Sequence, residues 1–341
     1  MKHYLYAGAR ARTKLGVAIP AAHLTGVSTT VRDARLDHVV RVGATWLRTD
    51  AYWSALQTGA ATYSWAGLDG AVDAARARGL RVILAVHTTP AWARPAGKTD
   101  TYGPTSPTEQ DLYAAFCGTL AARYTGRVAA VEVWNEPNLD QFWSPTPSAA
   151  SYGALLVKAA SAIRGAAPGM TVVAGGTGGV GTGPDVDPLA WYQALCDAVT
   201  ITYACDAVAV HPYTNNDGGA SGGMAQVTAI RALLDDRGAR MMPIWATETG
   251  APTAGDDGGT VTEATQAGLV ETLARAWAAV RASGPMCWYT LLDTTGASRE
   301  AHFGLLRTDG SDKPAVAAVQ SASAVTLPAG VVPAVRYAAH S

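Results

Sequence analysis

Short apolar runs and longer amphipathic stretches alternate eight times between Leu15 and Ser321. A run of roughly 4–8 apolar, β-branched residues bounded by turn residues reads as a buried strand. A longer stretch with apolar positions at helical spacing reads as a helix. Strands are therefore expected at Leu15–Ile19, Thr45–Thr49, Arg81–Val86, Val128–Val133, Thr171–Ala174, Asp206–Val210, Pro243–Thr247 and Met286–Leu291. The helices between them are expected at Val31–Val42, Leu68–Arg78, Thr108–Tyr124, Ser151–Ala166, Leu189–Ala198, Ala225–Arg237, Glu263–Ala282 and Lys313–Ser321. Gly43, Gly79 and the Pro168-Gly169 pair stop three of these, and Thr108 with Asp111 suggests an N-cap.

Eight strand–helix units predict an α/β fold, a single (β/α)8 TIM barrel over residues 15–321. An open doubly wound sheet is the alternative. No Gly-rich phosphate turn opens the first helix, so the barrel is preferred. Residues 1–14 are expected to form an N-terminal extension and 322–341 a C-terminal tail, with no linker and no second domain.

Charge and apolar content exclude several partners. Lys and Arg total 26 against 27 Asp and Glu, so no basic stripe is available for a phosphate backbone and nucleic acid is not expected. No apolar run approaches the roughly 18–20 residues of a membrane span, so no membrane partner is expected either. The N-terminal MKHYLYAGARARTKLG has no apolar segment after its positive charges and is not a recognisable signal peptide. The four cysteines match neither a zinc site nor a dense disulfide framework. Cys117 and Cys287 are expected to be buried free thiols, while Cys196 and Cys205 flank a short loop and could close a disulfide.

A barrel of this kind binds ligands at the C-terminal ends of its strands. Arg48 ends strand two, His87 strand three, Asn135-Glu136 strand four, His211 strand six and Glu248 strand seven, and Trp288 lies in strand eight. Alternation aims several of these inward: His211 shares a face with Ala207 and Ala209, His87 with Ile83 and Ala85, Glu248 with Ile244 and Ala246. Two carboxylic acids at the ends of strands four and seven are what glycosidic cleavage needs. One protonates the leaving oxygen; the other attacks the anomeric carbon or activates water, according to whether the carboxyl groups stand about 5–5.5 Å or about 6.5–9.5 Å apart. Spacing alone does not say which Glu is the acid.

Each signal has a plainer reading. Glu132 shares the face of Glu136 and is read as a paired structural acid inside the barrel. Asp50 and Asp293 are read as loop or supporting residues. Trp53, Trp92 and Trp143 fall in loops on the catalytic face, where an indole either stacks on a sugar or packs the loops. His87 and His211 could be metal ligands only with further donors, such as a close His pair on strand one, and Leu15–Ile19 has none. No metal and no cofactor are expected.

Trp134-Asn135-Glu136-Pro137-Asn138 and Thr247-Glu248-Thr249-Gly250 resemble the acid/base and nucleophile motifs of the clan A glycoside hydrolases. The stretch GATWLRTDAYWSAL at strand two, TPAW after strand three, HPY after strand six and FGLLRTDGSDKPA near the end narrow the resemblance to family 39 and related bacterial exopolysaccharide endoglycosidases. The resemblance implies a retaining enzyme that cleaves β-glycosidic bonds of a polysaccharide or oligosaccharide by double displacement, and endo action is expected. It makes Glu136 the acid/base and Glu248 the nucleophile. Asn135 would bind the sugar 2-hydroxyl, Arg48 and Tyr213 would hold Glu248 ionised, His211 would lie near Glu136, and Trp288 would be the platform of the −1 sugar. His87 would be a further substrate contact. An extracellular, virion- or lysis-associated setting is expected ahead of a cytoplasmic one. The alternative from another class is a carbohydrate-binding barrel without catalysis, an adhesin or virion component, which the intact Glu pair disfavours.

Overall fold

The computed structural model describes residues 14–180, 183–213, 221–256 and 258–324. Its main sheet has eight strands: β1 Leu15–Ala18, β2 Trp46–Tyr52, β3 Arg81–His87, β4 Ala130–Val133, β5 Thr171–Ala174, β6 Val208–Val210, β7 Ile244–Thr249 and β8 Ser283–Tyr289. Every pairing within it is parallel, in the order β5-β4-β3-β2-β1-β8-β7-β6. Bridges Val173↔Ala207 and Thr177↔Val210 join the two edges, so the sheet closes into the expected (β/α)8 barrel.

One long helix follows each strand: α1 Thr29–Arg41, α2 Ala66–Ala77, α3 Pro107–Tyr124, α4 Ala149–Ala166, α5 Pro188–Ala198, α6 Ser221–Asp236, α7 Glu263–Ala279 and α8 Ala315–Ala324. A two-stranded hairpin, Gln57–Gly59 with Thr62–Tyr63, sits in the loop after β2. The start of α3 differs from the expected cap at Thr108. Ser106 caps it in a reciprocal box with Glu109, and Pro107 fills the first turn, where a missing N–H costs nothing.

Side chains alternate between two cores. Val17, Leu47, Val82, Val131, Val172 and Val208 face the helices, while Ala18, Trp46, Ile83, Ala130, Val173, Ala207, Ala209, Trp245 and Cys287 fill the lumen. Trp46 and Trp245 meet edge to face at 5.5 Å and plug the floor. Gly16 makes room for them: a Cβ there would lie 2.7 Å from both Cys287 Sγ and Trp46 Cβ.

The expected alternation holds on β6, where Ala207 and Ala209 face inward and the valines outward. It fails on β7. Ile244 and Ala246 face the helices, and Trp245 faces the lumen. The register against β8 then slips between Met286↔Ala246 and Trp288↔Thr249, which lets Glu248 follow Thr247 toward the lumen instead of turning away.

All four cysteines are free, so the bridge considered for Cys196 and Cys205 is not formed. Of the expected extension and tail, Lys14 reaches Ser283 O at 2.5 Å and residues 322–324 finish α8; the rest lie outside the described residues. No helix among the described residues is long and apolar enough to cross a membrane.

Candidate active site

At the end of β4 the chain abandons alternation. Trp134 takes φ 74° and swings into the outer core, its indole N–H donating to Phe142 O at 2.8 Å. Glu136 also has positive φ, 43°, and its backbone N–H donates to Gly176 O at 2.9 Å. Non-glycine residues rarely adopt this region, and here two of them bring Asn135 and Glu136 to the rim one after the other. Asn138 fixes the turn: its amide donates to Gly178 O and Val186 O at 2.8 Å each and accepts from Gly178 N at 3.0 Å. The loop after β5 is thereby pressed so close that a Cβ on Gly178 would collide with Glu136 Oε1.

Arg48 on β2 is the hub of the rim and is 3% exposed. Its Nε donates to Glu132 Oε2 at 2.8 Å, its Nη2 to Asn135 Oδ1 at 2.7 Å, and its Nη1 to Glu248 Oε1. Burial works against the guanidinium charge. Glu132, Glu248 and Asp50 overcome it and hold Arg48 well above the usual arginine value. Because Arg48 occupies Asn135 Oδ1, the Asn135 side-chain NH2 is left to donate elsewhere. Tyr213 OH donates to Glu248 Oε2 at 2.6 Å, so Glu248 receives a cationic donor on one oxygen and a phenol on the other.

Glu136 meets a different partner. Its Oε1 lies 2.7 Å from His211 Nδ1, which is also 3.9 Å from Glu248 Oε2. Glu136 Oε1 and Glu248 Oε2 are therefore no further apart than the sum of those two distances. On its other side His211 Nε2 is 3.1 Å from Thr247 Oγ1, and Thr247 donates to Glu132 Oε1 at 2.8 Å. Gly176 N donates to the same Glu132 oxygen at 2.9 Å. Glu132 is fully buried with both oxygens engaged, in keeping with a structural acid.

The structure thus brings Arg48, Asn135, Glu136, His211, Tyr213 and Glu248 together. His87 stands beside them, with Nε2 3.3 Å from Asp50 Oδ1 and its ring edge-on to Tyr52. Asp50 also accepts from Ala21 N and Tyr52 OH, each at 3.1 Å. Burial opposes its charge, but His87, Arg48 and the Ala21 N–H hold its carboxyl down at about 2. Asp50 is therefore a supporting carboxylate of the rim, held among His87, Arg48, Tyr52 and Ala21.

Trp288 is a correction. Its side chain faces the helices in the outer core, away from Glu136 and Glu248. The inward neighbour is Tyr289, whose ring is 6.5 Å from Tyr213 and edge-on to Phe303 at 5.6 Å. The aromatic on the lumen side is one residue later than Trp288 because β8 carries Cys287 and Tyr289 on that side. Trp53 and Trp143 are fully buried among loop aromatics, Trp53 against Tyr113 and Phe116, Trp143 against Trp134 and Tyr152. Trp92 is half-buried against Trp53 and donates to Gln57 O. Asp293 pairs with buried Lys313 and accepts from Gly304 N, which ties down the loop after β8.

Sequence reading missed Thr247, Tyr289 and the contacts of Gly176 and Gly178. Thr247 stands next to Glu248 in the motif, but the β7 irregularity that aims both inward leaves no mark in the hydrophobic pattern. Among the described residues no group of three or more His, Cys, Asp or Glu side chains is placed to hold a metal ion. Chemically the rim offers one carboxylate fixed by a guanidinium and a phenol, and a second carboxyl group across from it backed by an imidazole.

The family model of the cellulases, glycosyl hydrolase family 5, matches residues 19–289. A comparison with curated proteins returned no match. Among solved structures, a family 39 glycoside hydrolase from the gut symbiont Bacteroides cellulosilyticus superposes with a TM-score of 0.75 at 20% identity, over 92% of this chain and 64% of that one. The chain thus spans under two thirds of that enzyme's length. GH5_18 from Streptomyces cattleya, solved with GlcNAc, gives 0.68 at 19% identity over 92% and 80%. A β-galactosidase from the psychrophilic Marinomonas ef1 gives 0.66 at 16% identity over 91% and 59%. The clan implied by the motifs is the one found. The matching family model is that of family 5, while family 39 appears among the structural neighbours.

Proposed function

The chain belongs to glycosyl hydrolase family 5, and from that membership we propose that it is a retaining β-glycosidase with Glu248 as nucleophile and Glu136 as acid/base. The observation that carries this reading is the shared contact of both carboxyl groups with His211 Nδ1, at 2.7 Å for Glu136 and 3.9 Å for Glu248. Even if that nitrogen lay on the line between Glu136 Oε1 and Glu248 Oε2, these two oxygens would only reach the lower end of the inverting range, about 6.5–9.5 Å. The roles follow from the partners. Arg48 and Tyr213 stabilise Glu248 as the anion that attacks the anomeric carbon. Glu136 has no guanidinium and can hold the proton that the leaving oxygen needs. Attack forms the Glu248–sugar ester as the glycosidic C–O bond breaks and the Glu136 proton moves to the leaving oxygen. Water then gives a proton back to Glu136 and displaces Glu248. Asn135, whose Oδ1 rather than NH2 is taken by Arg48, supports the 2-hydroxyl role, and Tyr289 takes the platform role first assigned to Trp288.

The substrate class is a β-linked oligosaccharide or polysaccharide. A long cleft for endo action would gain from exposed loop indoles, and Trp53 and Trp143 have no exposed face for a sugar. The size distribution of early products decides between endo and exo cleavage. The test of the function is a screen of polysaccharides and aryl β-glycosides with the first-formed anomer followed by NMR. Release with retained β-configuration is expected, and an inverted first product would overturn the double displacement. Glu248→Ala should be inactive, with azide restoring turnover to a glycosyl azide of opposite configuration. Sugar binding without release of reducing ends from any glycan would favour the non-catalytic barrel.

A further inference from the structure

The rim contains a hydrogen-bonded line, Glu132–Thr247–His211–Glu136, whose direction can be worked out from its ends. Glu132 accepts from Arg48 Nε on Oε2 and from Gly176 N on Oε1, so both of its oxygens are already acceptors. The single hydroxyl proton of Thr247 therefore points to Glu132 Oε1, 2.8 Å away. What Thr247 shows to His211 Nε2, at 3.1 Å, is a lone pair. Nε2 must then carry hydrogen. That leaves Nδ1 facing Glu136 Oε1 at 2.7 Å, where either Glu136 donates to a neutral ring or an imidazolium donates to Glu136.

We propose that Thr247, held by Glu132, locks His211 in the Nε2–H tautomer, so that His211 Nδ1 and Glu136 share one proton and Thr247 sets the upper pH limit of catalysis. The kinetic part rests on the glycosidase reading; the tautomer does not. Thr247 acts through His211 and is a positioning residue. Losing the shared proton would leave the Glu136 carboxylate opposite a nitrogen lone pair, an unfavourable contact, so the pair keeps its proton to higher pH. The ionisable groups facing the ring are Glu136, Glu248, Glu132 at 4.0 Å from Nε2, Arg48, and Tyr213 edge-on at 6.3 Å. Burial opposes a charged ring, but Glu248 and Glu136 outweigh it and raise His211 above an ordinary histidine. A Cβ on Gly176 would collide with the His211 ring, so the backbone of the β5 loop confines it from the other side.

In Thr247→Val the ring loses its Nε2 acceptor and can turn its hydrogen to Nδ1, donating to the Glu136 carboxylate. The pair then gives up its proton more easily. The alkaline limb of kcat/KM should move down by roughly one pH unit or more, with the acid limb in place. Thr247→Ser keeps the hydroxyl and should keep the wild-type profile, a rescue that packing alone would not give. Ring nitrogen-15 shifts read the tautomer directly. Wild type and Thr247→Ser should show hydrogen on Nε2, with Nδ1–H appearing in Thr247→Val. Hydrogen on Nδ1 in the neutral wild-type ring would overturn the proposal, as would a Thr247→Val profile identical to wild type. A protein with the Nε2–H tautomer that cleaves no glycoside would support the lock and count against the glycosidase reading.

Discussion

Two levels of the same lumen enclose different chemistry. At the floor, Trp46, Ile83, Ala130, Val173, Ala207 and Trp245 meet as an apolar layer, with the Arg81 guanidinium stacked 4.0 Å from the Trp46 ring centroid. At the rim, Glu132, Glu136, Glu248 and Asp50 crowd around Arg48, His87 and His211. Regular alternation decides what points inward at the floor, whereas at the rim the positive-φ turn after β4 and the slip on β7 add Asn135, Glu136 and Glu248, and the residue type decides what each layer does. The floor gains apolar burial. The rim gathers four carboxyl groups around the Arg48 guanidinium and two imidazoles, an arrangement that costs stability and is retained where a reaction uses it. Glu132 and Glu136, four positions apart, repeat the contrast in miniature: one is fully engaged by backbone, hydroxyl and guanidinium, the other is left to an imidazole.

The comparison predicts that rim and floor variants fail in different ways. The largest effect belongs to Glu248→Ala, which should lower turnover roughly 10⁴-fold or more and leave thermal unfolding near wild type. Arg48 keeps Glu132 and Asn135 in that variant, so no buried charge is orphaned. A large fall in melting temperature would show that the Glu248 contact is a structural pillar, and the contrast would collapse.

Trp245→Ala should do the reverse. The indole is 7% exposed, meets Trp46 edge to face, and packs so tightly that a Cβ on Gly284 would collide with it. Its removal leaves a cavity and should cost about 3–5 kcal/mol in denaturant unfolding. The kcat of the folded fraction should stay close to wild type, because no floor residue touches the reacting groups. A large fall in kcat for folded Trp245→Ala would mean that the two levels are coupled.

How much of this could be read from the sequence divides along the same line. All eight strands and their helices were legible, because burial on two faces leaves a hydrophobic period that survives in one sequence. Glu136, Arg48 and His211 were placed at the rim from motif and parity. The misplacements arose where the backbone departs from regular alternation. On β7 the slip between Ala246 and Thr249 puts Glu248 on the lumen side although Ile244 and Ala246 face the helices, so the three do not share a face. On β8 the lumen-side residue is Tyr289, one position beyond the tryptophan that looked like the platform. Trp53 and Trp143 could not be sorted by type, since an indole that packs a loop and one that stacks on a sugar have the same composition around them.

Gly178→Ala sharpens the contrast at the rim itself. The added methyl would meet Glu136 Oε1 and Leu139 Cδ1, the latter at 2.7 Å, and must push the acid or the loop aside. A displacement near 1 Å of a catalytic group costs about 10²-fold in rate. Natural substrates should lose that factor, while activated aryl glycosides, which need less protonation, should lose less. Equal loss on both would place the damage on Glu248 or on binding instead of on Glu136.

The smallest effect concerns a rim carboxylate that stabilises the fold. Asp50 has its carboxyl held down at about 2 by His87, Arg48 and the Ala21 N–H against the opposition of burial, compared with an ordinary value of about 3.9 in an unfolded chain. A depressed carboxylate adds stability that is present above the unfolded value and is lost as pH falls through the folded one. Asp50 should therefore contribute on the order of 2 kcal/mol near pH 7 and lose it between about pH 4 and pH 2. Asp50→Asn should be less stable than wild type by about that amount at neutral pH, with the gap closing as both are acidified across the same window. Urea unfolding at pH 7, 4 and 2.5 measures the gap. A difference that stayed constant with pH would assign the loss to the altered hydrogen bonds of Ala21 and Tyr52, and would remove Asp50 from the rim carboxyl groups that, like Glu132, support the fold.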